Sequence, residues 1–118
     1  MTDPLAIARA LLAFDAMALR LLAAEALEDP ADLSCVPEPA EATAEELAAA
    51  AAVVELLCER AGVPSPEWTE RAPSLPQPRF VLSHAARMPR LRALCERESP
   101  PALRRHGFLA PPDFLTTA

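Results

Sequence analysis

The chain has no lysine, asparagine or tyrosine, and only two glycines, Gly62 and Gly107, among its 118 residues. Two isolated glycines exclude the glycine-rich loops that cradle phosphates at a helix start. Aromatic residues are nearly as scarce, four Phe and one Trp. The large side chains available for a core are therefore mostly Leu, and that core is thin unless a partner completes it. Three cysteines, Cys35, Cys58 and Cys95, are odd in number and far apart. They lack the close pairing of zinc or redox motifs and suit a reducing cytoplasm. Histidine is limited to His84 and His106, and nothing in the local sequence sets either beside a thiol as a nucleophile's base. No catalytic residue, metal ligand or cofactor site is assigned, and the chain reads as a non-enzyme.

What is present favours a folded helical protein. The apolar share is 52% and the charged share 24%, which argues against disorder even with 14 prolines. The length suits one domain. Charge divides the chain in two: residues 1–60 hold 12 acids and 3 arginines, net −9, and residues 61–118 hold 5 acids and 8 arginines, net +3. Residues 5–27, LAIARALLAFDAMALRLLAAEAL, are apolar enough to suggest a membrane span. Arg9, Asp15, Arg20 and Glu25 interrupt them, each costing about 2.5–3.5 kcal/mol near a bilayer centre. The acidic start at Asp3 also differs from the basic lead of a signal peptide. No membrane association is expected, and the location expected is cytoplasmic.

Punctuation residues predict an all-α fold, a small bundle of two long and two or three short helices with a proline-rich wrapping segment. Asp3-Pro4 opens a helix that Asp29-Pro30 ends near Glu28. Its charges are dispersed around the wheel, so it is expected to be covered on more than one side. Residues 29–42 read as an extended acidic link. Thr43 and Glu46 form a capping-box pattern, and Gly62 closes the second helix. In that helix Leu47, Ala51, Val54, Leu57, Cys58 and Ala61 recur at helical spacing, leaving Glu45, Glu46, Glu55 and Glu59 elsewhere. Residues 1–62 would thus form a helical hairpin, and residues 63–118 a strap with short helices. Trp68, Leu75, Phe80, Val81 and Leu82 should anchor the strap; a strand at 79–82 would lack an evident partner. Ser83 would cap a turn through Arg87, Pro89 would begin a helix ending near Glu98, and Ser99-Pro100 would start a last helix of residues 101–106.

The concentrated charge signal lies between residues 79 and 105, seven arginines against Glu96 and Glu98. Arg87, Arg90, Arg97, Arg104 and Arg105 are the candidate partner-binding residues. Guanidinium forks suit carboxylates and phosphates. The net charge of −6 and the few interleaved aromatics argue against nucleic acid and favour an acidic protein partner. An intramolecular alternative is that these arginines neutralise the chain's own acidic half. The first helix is a second candidate surface, to be covered by a homodimer mate, a heterologous partner or the strap.

From Ala50 to Leu115 the ordered phrases LLCERAG, PEWTE, LPQPRF, LRALCERESPPALRRHGF and DFL resemble a group of small bacterial helical proteins. The shared positions are Gly62, Pro66, Trp68, Ser99, Pro100, Arg104, Arg105 and Phe108. Such proteins are similar to the antitoxin-like partner of nucleotidyltransferase-type toxins. The resemblance implies a noncatalytic module that binds and neutralises a partner enzyme. The alternative is a small nucleic-acid-associated transcriptional regulator that uses the arginine-rich C-terminal half.

Overall fold

In this computed structural model, which describes residues 2–116, Asp3 and Pro4 open the first helix as predicted. The Asp3 carboxylate accepts from the Leu5 and Ala6 N–H groups at 3.1 Å, and Pro4 sits where no helical amide is required. Helix α1, Pro4–Leu12, does not continue to Glu28. The Phe14 backbone turns left-handed at φ 57°. Phe14 N–H donates to Leu11 O at 3.2 Å and Asp15 N–H to Ala10 O at 2.9 Å, the paired bonds of a Schellman ending. Asp15 then caps α2, Ala16–Glu28, by accepting from Ala18 N–H at 3.1 Å. A short acidic side chain at position 15 offers the backbone a local bond in place of continued helix, so the expected long helix is two.

The link at 29–42 is likewise not wholly extended. Asp29 accepts from Asp32 N–H at 3.2 Å and caps α3, Pro30–Ser34. The Asp-Pro pair that ends one helix starts the next, because proline is well placed in a first turn. Within the link, only Asp29 and residues 35–42 lie outside helix and strand.

Helix α4, Ala44–Ala61, has the predicted limits. Thr43 Oγ1 accepts from Glu46 N–H and the Glu46 carboxylate from Thr43 N–H, both at 3.0 Å. Gly62, at φ 73°, supplies the left-handed residue at the far end. Every residue from Ala48 to Cys58 is buried, which overturns the expectation that the first helix is the enveloped one. Helices α1, α2 and α3 all touch α4, as do α5 and α7 described below. A helix apolar all round is a core helix, and the alanines at 48–52 let neighbouring axes approach closely.

The strap wraps this helix as expected. Its single turn, α5, Glu67–Arg71, buries Trp68, whose Nε1–H donates to Val36 O at 2.8 Å. Val81 is buried too, Leu75 and Leu82 are half-buried against the core, and Phe80 is half-buried. The strand at 79–82 does have a partner. Arg79–Phe80 (β1) runs parallel to Phe108–Leu109 (β2), in register Arg79 to Phe108. Arg79 N–H donates to Gly107 O and Val81 N–H to Leu109 O, both at 2.9 Å. Gly107 makes the crossing possible: at φ 90° any Cβ there would lie 2.8 Å from Leu75 Cβ.

Between the strands lie a 3-10 turn, Ala85–Arg87, helix α6, Pro89–Glu98, and helix α7, Pro101–Arg105. Ser83 does not cap the turn; His84 precedes it without a side-chain bond. Ser99 does not cap α7 either. Its hydroxyl accepts from Ala110 N–H at 2.9 Å and donates toward the Cys95 and Ala110 carbonyls, tying the end of α6 to the segment after β2. With seven α-helices and one two-residue strand pairing among the described residues, the fold is all-α.

Candidate protein-binding surface

Helix α6 buries one residue, Cys95, and its principal neighbour is the 3-10 turn. At about 100° per residue, Arg90 and Arg97 are seven positions apart and share a face. Arg87, Arg90 and Arg97 are all exposed. None of the three forms an ion pair among the described residues, and Arg97 Nε donates only to Ala93 O of its own helix at 3.4 Å. Beside them Met88 is 49% exposed, and Leu91 and Leu94 are half-buried. The first turn of α6 holds Arg90 and Arg92 and no acid. Cations at the positive end of a helix dipole raise the local potential at some cost to helix stability. The result is an electropositive face with an apolar seam.

The other two candidate arginines are engaged within the chain. Arg104 donates from Nη2 to Glu96 O at 2.7 Å, capping the end of α6. Arg105 donates to the Glu55 carboxylate at 3.0 Å. Arg79 pairs with Glu45 across the strap, so the intramolecular alternative holds at Arg79 and Arg105 and not along α6. Glu45 and Glu46 are both paired, Glu46 with Arg9 at 3.1 Å. Glu96 pairs with Arg92 at 3.1 Å.

Glu55, which the helical spacing leaves off the apolar series of α4, lies in the interior, 6% exposed. It meets His106 Nε2, while His106 Nδ1 lies 3.2 Å from Pro73 O. The ring thus bridges a carboxylate and a carbonyl. Glu55, Arg105 and His106 form a hydrogen-bonded cluster joining α4 to the end of α7. His106 is only 4% exposed, so its contact with Glu55 lies inside the fold. A lone carboxylate inside the apolar run Ala48–Leu57 was the signal for it.

The two buried thiols, Cys58 and Cys95, point away from nucleophilic chemistry. Burial raises the Cys58 thiol above its ordinary range, with the Glu55 charge adding to the shift and Ser65 opposing it. Burial also raises Cys95, helped by Glu96. A nucleophilic cysteine needs the opposite shift. An open groove of about 520 Å³ lies where the strap passes the start of α4, lined by Glu45, Ser74, Leu75, Gln77 and Arg79. Its two charged residues neutralise each other. Among the described residues no cluster of three His, Cys, Asp or Glu side chains could hold a metal ion, and no helix is long and apolar enough to cross a membrane. No protein-family model, curated protein or solved structure matches the chain.

Proposed function

We propose that the protein is a noncatalytic protein-binding module of the cytoplasm whose α6 face captures an acidic partner. The observation that carries this reading is the contrast among the arginines. Arg79, Arg92 and Arg105 each have a carboxylate within the chain. Arg87, Arg90 and Arg97 have none among the described residues, and they border exposed Met88. Charges around an apolar seam are the makeup of an interface rim and core. The resemblance described above makes a nucleotidyltransferase-like enzyme the partner to test, with the chain acting as its antitoxin-like neutraliser.

The test is co-purification with a tagged chain from its native host, with the co-eluting protein identified by mass. The double variant Arg90→Glu/Arg97→Glu, shown by circular dichroism to keep its helices, should lose that protein. Retention of the partner by the variant refutes the α6 face. If the same variant instead abolishes binding to duplex DNA, with affinity falling steeply as salt rises, the regulator reading replaces this one.

A further inference from the structure

Helix α2 carries a feature that partner capture through α6 does not use. Met17 is 76% exposed and Leu21 63%, and Ala24 and Glu28 are exposed with them. Their spacing of four, three and four is the a/d pattern of a heptad helix. Leu19, Ala23 and Ala26, on the opposite side, are buried, so the stripe faces away from the molecule.

The flanks of the stripe identify the occupant. Arg20 lies on one side, at the position preceding Leu21, and Glu25 on the other, following Ala24; both are exposed, and neither forms an ion pair among the described residues. When two identical helices pack in parallel and in register, these are the g and e positions that meet across the seam. Arg20 of each copy then faces Glu25 of the other, twice by symmetry. An antiparallel pairing would bring Arg20 against Arg20 and form neither pair.

We propose that this face binds a second copy of the chain, through a parallel two-fold pairing of α2 with Met17, Leu21 and Ala24 in the seam. The pairing spans less than two heptads and sets Glu28 against its mate at the C-terminal end, so the dimer is concentration-dependent and strengthens in Glu28→Leu.

Sedimentation equilibrium of the full chain over a range of concentrations provides the test. Wild type should show a monomer–dimer equilibrium. Met17→Glu/Leu21→Glu, which alters only exposed side chains, should be monomeric with an unchanged circular dichroism spectrum. Arg20→Glu and Glu25→Arg should each weaken the dimer several-fold, and the two together should restore it. In a Cys35→Ser background, Ala24→Cys should give a disulfide-linked dimer on mild oxidation, because the two Ala24 positions face each other only in the parallel register. A wild-type chain that stays monomeric up to its solubility limit overturns the proposal. So does a dimer that survives Met17→Glu/Leu21→Glu, or a charge swap that fails to restore association. Arg90→Glu/Arg97→Glu should leave the dimer intact, so this proposal and the α6 reading fail separately.

Discussion

Helices α2 and α4 are built from nearly the same alphabet, alanine and leucine with a few acids, yet one is wrapped on every side and the other only on one. In α4, residues 48–58 are all buried, whereas α2 buries only Leu19, Ala23 and Ala26. The difference lies in what surrounds each helix. α4 follows a firm capping box and runs for 18 residues, long enough for elements from both halves of the chain to pack on it. α2 is detached from α1 by the turn at Phe14, which leaves it packed on one side. Apolar content sets how much surface can be buried, and chain path decides which surface is.

The sharpest way to break that contrast is to carve into α4. Leu57→Ala should lower stability by about 2–5 kcal/mol, since a fully enclosed side chain leaves a cavity behind, as read by urea unfolding. Next comes the Glu55 cluster: His106→Ala should cost about 1–3 kcal/mol by stripping Glu55 of one buried partner. Adding Glu55→Ala to it should cost less than the separate effects combined, because the residues act as a unit.

Thr43→Ala should cost about 1 kcal/mol through the lost cap. The cap also carries a pH signature. The Glu46 carboxyl is held below the ordinary carboxylate range, first by the Thr43 N–H and then by Arg9. Its contribution is present above that ordinary range and is lost as pH falls through the lowered value. A thermal-melting series in acid should show the wild type losing its advantage over Glu46→Ala. The buried thiols titrate at the opposite extreme. With Cys58 and Cys95 raised by burial, stability is full below the ordinary thiol range and declines as pH rises from there toward the raised values. Cys58→Ala should flatten that alkaline decline. The smallest change belongs to α2, where Met17→Ala should alter monomer stability by no more than about 0.5 kcal/mol.

How legible each part was depends on whether its signal is local. α4 and α1 end in the same Schellman geometry, with Gly62 at φ 73° in one and Phe14 at φ 57° in the other. Glycine announces that conformation in the sequence and phenylalanine does not, so the end of α4 was readable and the break before Asp15 was missed. Thr43 and Glu46 carry their own cap within four residues. By contrast β1 and β2 are two residues each and separated by 27 residues, so nothing near either one reveals the pairing. The arginine set was visible as a cluster of like charges. Its division into Arg87, Arg90 and Arg97 on one side and Arg104 and Arg105 on the other depends on a carbonyl at Glu96 and a carboxylate at Glu55 that only the fold brings near.

The strand pair and the Ser99–Ala110 bonds together form a clasp at the base of the excursion that carries α6. Hydrogen exchange should therefore find the α6 amides opening by local fluctuations while those of α4 open only when the whole molecule does. Because the clasp keeps the excursion's two ends together however α6 fluctuates, the charges along α6 can be rewritten with little penalty to the rest of the architecture. The sequence of α6 can then drift in evolution, or be replaced by grafting another helix, while the alanine-packed centre stays as it is.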